Sequence, residues 1–140
     1  SEILNNIAYS MVDEIVGTHW NLVRAFFEDI VKSFSAFCKN SADCNKENSL
    51  KSLRHQASLA NRLAADQELL QELVPVDTVV ASGSSHESWM FTDSELHIRI
   101  WWPILTTMSN LILDKRSDVR HAALKTLFAD SRKICTKQKV

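Results

Sequence analysis

Histidines, cysteines and glycines are the residues of this sequence that could support catalysis, metal binding or phosphate binding. None of the 5 histidines is placed with a Ser or Cys in the arrangement of an activated nucleophile. His86-Glu87 lacks the second histidine that would complete a zinc-binding spacing on a helix. Gly17 and Gly83 are isolated, so they cannot form a glycine-rich phosphate loop. We therefore predict that the protein is not an enzyme and has no catalytic residue.

The composition narrows the class of protein further. The 3 cysteines are an odd number, and Cys38 and Cys44 alone supply too few ligands for zinc. We predict no metal, no cofactor and reduced thiols in a cytosolic protein. The formal net charge of −1 gives no overall attraction to nucleic acid. Hydrophobic residues make up 45% of the 140 residues, which predicts a folded core. No apolar stretch is long enough to span a bilayer.

Charged residues cluster where one apolar helix ends and another begins, at Asp114-Lys115-Arg116-Ser117. This stretch is too polar to continue a buried helix, so we predict a turn between two antiparallel helices. Ser117 is a suitable N-cap for the second helix. The Asp114 carboxylate and the Arg120 guanidinium are expected to meet across the turn, or Asp114 bonds backbone donors at the start of the second helix. Asp114, Ser117 and Arg120 are therefore the predicted structural turn.

Apolar residues at helical spacing predict that the rest of the chain also folds as helices. The expected helices span about 2–16, 18–38, 50–65, 66–73, 92–113 and 118–135. We expect a flexible loop at 76–88 within a single helical-repeat domain of residues 1–140, and a bend near Ile100 caused by Pro103. The side chains expected in the core are Phe27, Phe34, Trp102 and Leu127. The ends of the chain suggest a piece of a longer protein, with Ile3, Leu4, Ile7 and Ile134 as exposed apolar residues.

Two groups of residues are candidates for contact with a partner or a membrane. Lys115, Arg116, Arg132 and Lys133 are basic, and they form either a solvated surface or a weak contact with anionic lipid headgroups. Trp89-Met90-Phe91 lies beside the serine-rich stretch. It either presents an apolar contact for a partner or a membrane, or packs back onto the core.

The last predicted hairpin resembles a HEAT repeat, the helical hairpin of α-solenoids. Pro103 in the first helix, Asp114 in the turn, and Val119-Arg120 at the start of the second helix match that pattern. The alternative is an ordinary helical hairpin. The resemblance implies an all-α fold in which antiparallel helical hairpins stack as a HEAT/armadillo-like solenoid fragment. Solenoids serve many tasks, so the repeat by itself says little about function.

A wider resemblance covers most of residues 22–130. The chain is similar to the helical domain downstream of the catalytic domain in the large Golgi Arf guanine-nucleotide exchange factors of the BIG type. It departs from them at Lys115, where that family tends to have proline, and in its serine-rich loop. Related Golgi scaffolds that lack the exchange domain are an alternative. The similar stretches are Phe26-Phe27-Glu28-Asp29-Ile30-Val31, Ser49-Leu50-Lys51-Ser52-Leu53, Trp101-Trp102-Pro103-Ile104-Leu105, and Ala123-Leu124 with Leu127-Phe128.

The resemblance implies a non-catalytic regulatory or interaction domain that acts in Golgi vesicle traffic. Its expected partners are a small GTPase of the Arf type, other domains of the same chain, or an anionic membrane surface, and not nucleic acid. The expected location is cytoplasmic, peripheral on Golgi or trans-Golgi membranes. The alternative is a HEAT-repeat scaffold or adaptor of unrelated function.

Overall fold

The computed structural model describes residues 1–40, 45–73 and 100–138. Every regular element in these ranges is a helix, which confirms the all-helical class for this part of the chain. The elements in chain order are α1 (Glu2–Thr18), α2 (Trp20–Val23), a 3-10 turn (Arg24–Phe26), α3 (Phe27–Lys39), α4 (Lys46–Ala65), α5 (Gln67–Leu73), α6 (residues 100–111) and α7 (Ser117–Gln138).

The helix predicted over 18–38 is interrupted near its start. Backbone ψ is 33° at both His19 and Phe26, far from the helical value of about −42°. As a result α1 continues through Thr18, α2 and the 3-10 turn are short, and α3 begins at Phe27. Phe26 is 61% exposed whereas Phe27 is fully buried, so the break turns one of two adjacent phenylalanines away from the core.

Antiparallel packing of α3 against α4 forms the centre of the described structure. The Ser49 hydroxyl, at the start of α4, donates to the carbonyl of Phe37 near the end of α3 at 3.0 Å. In the middle of both helices, Gln56 Nε2 donates to the carbonyl of Val31, also at 3.0 Å. These two bonds fix the direction and the register of the pair.

The start of α4 lies before the predicted range of about 50–65, so that the helix includes Asn48 and Ser49. The helix begins at Lys46, so both residues lie in its first turn. Asn48 Nδ2 donates to the side-chain oxygens of Asn5 and Asn6 in α1, at 2.8 and 2.7 Å. The side chain of Asn48 therefore ties α4 to α1.

Asp66 separates α4 from α5 and caps the shorter helix, because its carboxylate accepts a bond from the Leu69 backbone N–H at 3.0 Å. Arg24 in the 3-10 turn pairs with Glu72 at 3.0 Å and with Asp66 at 3.5 Å. These ion pairs hold α5 beside the start of α3. The short helix predicted over 66–73 is confirmed.

Two groups of buried side chains form the core. The larger joins α1, α3, α4, α5 and α6, and the smaller joins α3, α4, α6 and α7 beside the last turn. Phe27 and Phe34 are fully buried, as predicted. Trp102 is 62% exposed, so its predicted burial is wrong, and Trp101 lies inside in its place. Leu127 is partly buried against the smaller group. The inner surface of α6 carries Ile100, Trp101 and Ile104, and Trp102 lies about 100° beyond Trp101 on the side away from it.

Several predictions about overall organisation are not decided by these helices. The stacking of hairpins as a solenoid and the single domain over 1–140 stay predictions. The loop at 76–88 lies outside the described residues, and the bend near Ile100 falls at their edge. Among the described helices, none has both the length and the apolar character required to cross a bilayer.

Candidate functional site

The turn between α6 and α7 is built on an ion pair between near neighbours. The Asp114 carboxylate accepts two bonds from the Arg116 guanidinium, one from Nε and one from Nη2, both at 2.9 Å. The same carboxylate accepts the Arg116 backbone N–H at 2.9 Å. Two parallel guanidinium bonds give this pair both strength and a defined orientation. The two side chains are 8% and 4% exposed, respectively.

Arg120 and Ser117 have other roles than those predicted. Arg120 Nη1 donates to the backbone carbonyls of Asp114 and Lys115 at 2.8 and 3.0 Å, so it closes the turn through the main chain. The expected contact between the Asp114 and Arg120 side chains is therefore replaced by Asp114–Arg116, while the expected bond to a backbone donor is present. Ser117 is exposed and is the first residue of α7, which places Arg116 at the cap position.

The guanidinium of Arg116 also reaches the centre of the fold. Nη1 donates to the Ser49 hydroxyl at 2.9 Å, and Nη2 donates to the Cys38 carbonyl at 3.1 Å. We call Cys38, Ser49, Asp114 and Arg116 the arginine cluster. It joins the end of α3, the start of α4 and the last turn, so one cation fixes three segments that are distant in sequence.

The electrostatics of the arginine cluster favour a structural role. The side-chain hydrogen bonds from Arg116 hold the pKa of Asp114 below its ordinary value of 3.8. Burial raises the pKa of the Cys38 thiol to about 12. A neutral, fully buried thiol is a poor nucleophile. The arginine cluster therefore holds helices together and offers no reactive group to a substrate.

The residues predicted to contact a partner or a membrane differ in their exposure. Lys115 and Arg132 are exposed and stay candidates for contact. Arg116 is 6% exposed and bonded to protein acceptors, so its assignment as a surface contact is corrected. The stretch Trp89-Met90-Phe91 and the side chain of Lys133 lie outside the described residues.

The inner side of α1 is formed by Tyr9 and Val16, its two buried residues. Tyr9 packs edge-on against Phe34 and Phe37, and its pKa is raised to about 12, mainly by burial. Four exposed apolar side chains of α1, which we call the α1 outer face, form a stripe opposite this inner side: Leu4, Ile7, Met11 and Ile15. The exposure of Ile3, Leu4 and Ile7 at this end is confirmed, whereas the side chain of Ile134 lies outside the described residues.

A polar contact holds α1 in this orientation. The Asp13 carboxylate lies 2.6 Å from His55 Nε2 on α4, and the His55 ring stacks on Phe34 with 4.2 Å between centroids. The signal that could have revealed this arrangement is the distribution of apolar residues around α1, because Tyr9 and Val16 lie opposite Ile7 and Met11 on a helical projection.

The described side chains do not form a metal site, because no three of their His, Cys, Asp and Glu residues gather closely enough to bind an ion.

The last hairpin, like α1, presents large exposed apolar side chains. These are Trp102, Leu113, Leu124 and Phe128. Within the described ranges, the features available for recognition are therefore apolar surfaces and scattered charges.

Comparison with known proteins gives one informative similarity. No protein-family model matches the chain, and no solved structure matches it. The chain is 27% identical over 130 residues to brefeldin A-inhibited guanine nucleotide-exchange protein 3 of Arabidopsis thaliana. The alignment covers 87% of this chain and 7% of that relative, so the chain corresponds to a small part of its length.

Proposed function

We propose that this chain is a non-catalytic regulatory or interaction domain of a large guanine-nucleotide exchange factor for an Arf-type GTPase. The observation that carries the proposal is the similarity to a brefeldin A-inhibited exchange protein across most of this chain. The motifs of the last hairpin support the same family. Stacking of its hairpins in a HEAT/armadillo-like solenoid is part of the proposal.

A role without catalysis agrees with the chemistry of the described residues. The most elaborate polar site, the arginine cluster, uses its guanidinium and carboxylate in contacts between helices. Its thiol is buried and its pKa is high. The side chains left for recognition are exposed and mainly apolar, which is typical of a surface that binds another macromolecule.

The proposed partners are an Arf-type GTPase, other domains of the same chain, or an anionic membrane surface. The last of these would use Lys115 and Arg132, both exposed. The proposed location is peripheral, on the cytoplasmic side of Golgi or trans-Golgi membranes. Two exposed basic residues at about 1 kcal/mol each give only weak, salt-sensitive attraction to lipid, so a protein partner is the main expectation.

The first test is direct binding of the 140-residue chain to Arf-type GTPases loaded with GTP or GDP. Flotation with anionic and neutral liposomes is measured in parallel. A regulatory domain should distinguish the two nucleotide states or bind anionic liposomes in a salt-sensitive way. Lys115→Gln is the variant for the liposome arm, and Lys125→Gln on the exposed side of α7 is its matched control.

The second test deletes this region from the full-length protein. We expect a change in Golgi recruitment or in exchange rate, while the separate catalytic domain keeps its full activity. If neither quantity changes and no GTPase or liposome binds, a helical scaffold of unrelated function becomes the better account.

A further inference from the structure

The α1 outer face is an apolar surface on a helix that already buries its other side. Tyr9 and Val16 are each 6% exposed, whereas Leu4, Ile7, Met11 and Ile15 are between 44% and 67% exposed. The spacing of the exposed group is three, four and four residues, which forms one continuous stripe along the helix. Asn6, Ser10 and Glu14 occupy a polar side of α1 next to this stripe, and an exposed apolar patch with a polar rim is typical of an interaction site. The stripe therefore has the character of an interface.

A shallow apolar groove continues the α1 outer face towards α3. Ile15 belongs to both features, and Phe26, at the break before α3, closes the far side. Two polar residues, Asp29 and Ser33, lie on its α3 side. The complete lining is Val12, Ile15, Val16, Val23, Phe26, Asp29, Ile30 and Ser33. A groove of this kind suits the apolar side of an amphipathic helix.

The charges around the groove indicate which helix would fit. Residues 2–23 contain three carboxylates and no Lys or Arg. Asp13 is engaged with His55, but Glu14 is exposed and lies beside Met11 and Ile7 on the helical projection. Asp29 adds a carboxylate from α3. Neither Glu14 nor the exposed Lys32 of α3 lines the groove itself, and Glu14 borders the α1 outer face. The α1 outer face and the groove together therefore form an apolar surface with Glu14 at one edge and Asp29 at the other.

We propose that the groove between α1 and α3 binds a cationic amphipathic helix of a protein partner. Its apolar side chains cover the α1 outer face and contact Phe26, and its Lys or Arg residues face Glu14 and Asp29. A second copy of this chain is a poor occupant, because it would bring the same carboxylates together. An anionic membrane is disfavoured for the same reason. The inference is independent of the exchange-factor proposal.

The binding probe is a dye-labelled helical peptide about five turns long, with Leu on one side and Lys on the other. Its matched control carries Glu in place of every Lys. Fluorescence anisotropy with the 140-residue chain should show binding of the Lys peptide that weakens as salt is added. The Glu peptide should bind about tenfold more weakly or worse, because its charges face Glu14 and Asp29.

Matched variants locate the binding surface. Phe26→Gln in the groove and Phe128→Gln on α7 replace the same residue type at the same 61% exposure. Only Phe26→Gln should weaken binding of the Lys peptide, by about tenfold, as expected for a large side chain that an interface buries. Glu14→Lys should weaken binding of the Lys peptide as well, whereas Glu68→Lys, at an exposed position of α5, should not. Methyl NMR of the unaltered chain should show shifts at Ile7, Met11 and Ile15.

Several outcomes would overturn the proposal. These are equal binding of the Lys and Glu peptides, equal effects of Phe26→Gln and Phe128→Gln, or methyl shifts confined to another surface. A dimer in sedimentation experiments that Met11→Gln dissociates would assign the groove to a second copy instead. Flotation with anionic vesicles that Met11→Gln abolishes would assign it to a membrane. GTPase binding does not enter any of these readouts, so the exchange-factor proposal stands or fails separately.

Discussion

Replacing Arg116 by Met tests whether the arginine cluster holds the fold together. The substitution keeps an unbranched apolar stem and removes the guanidinium. It leaves the Asp114 carboxylate, 8% exposed, without its cation, and it removes the donors to Ser49 and to the Cys38 carbonyl. Removing one member of a buried ion pair costs about 3–5 kcal/mol, because the remaining charge is uncompensated. The lost neutral bonds act in the same direction and are not added separately.

The size of the effect can be measured by thermal and urea unfolding followed by circular dichroism. For a chain of this length, about 3–5 kcal/mol corresponds to a fall in Tm of roughly 10–20 °C. Arg116→Lys should recover only part of the loss, because an ammonium group cannot make the two parallel bonds to Asp114. Lys115→Met, at the exposed neighbouring position, is the control, and its Tm should stay close to that of the parent protein.

A double-mutant cycle separates the ion pair from general disruption. Adding Asp114→Asn to Arg116→Met removes the uncompensated carboxylate, so the double variant should be more stable than the sum of the two single losses predicts. If the free energy of unfolding of Arg116→Met is within about 1 kcal/mol of that of the parent protein, or if the losses of the two single variants simply add, the arginine cluster does not hold the three segments together.

Three further predictions follow from the same geometry. The pKa of Asp114 is lowered in the folded state, so this carboxylate contributes stability above the ordinary value of 3.8, and the contribution is lost as pH falls through the lower folded pKa. In urea titrations at several pH values, Asp114→Asn should therefore lose less stability on acidification than the parent protein. An equal loss in both proteins would contradict the prediction. Phe34→Ala should lower the free energy of unfolding by about 3–5 kcal/mol, because Phe34 is fully buried. Trp102→Ala should lower it by less than about 1 kcal/mol, because Trp102 is 62% exposed. If denaturant melts give the opposite order for the two variants, the burial is assigned wrongly. Cys38 is fully buried and its pKa is about 12, so its thiol should resist alkylation at pH 8 and react in denaturant. Peptide mapping by mass spectrometry measures the labelling of Cys38, and rapid labelling in the native protein would refute its burial.

Local patterns were sufficient to predict the class of fold and the position of its main turn. Apolar residues at a period of 3.6 mark helices regardless of their neighbours, and consecutive polar residues at 114–117 interrupt that period. The burial of Phe27 and Phe34 followed from the same periodicity. The sequence could also place Asp114 in the turn, because its carboxylate bonds a backbone N–H only two residues away.

Partners distant in sequence decided the details of the site. Two arginines follow Asp114 within six residues, and both are able to reach it. The structure selects Arg116 because its guanidinium also reaches Ser49 and the Cys38 carbonyl, 67 and 78 residues earlier. Arg120 then bonds main-chain carbonyls instead. No spacing within the turn contains that information.

The orientation of α1 was decided in the same way. By itself, the sequence determined that α1 is a helix with apolar residues on more than one side. Which side became the inner one depended on Tyr9 meeting Phe34 of α3 and on Asp13 meeting His55 of α4, partners that are distant in sequence. Periodicity measures how apolar a helix surface is, but burial is a property of the neighbours that cover it, and those are set by the tertiary structure.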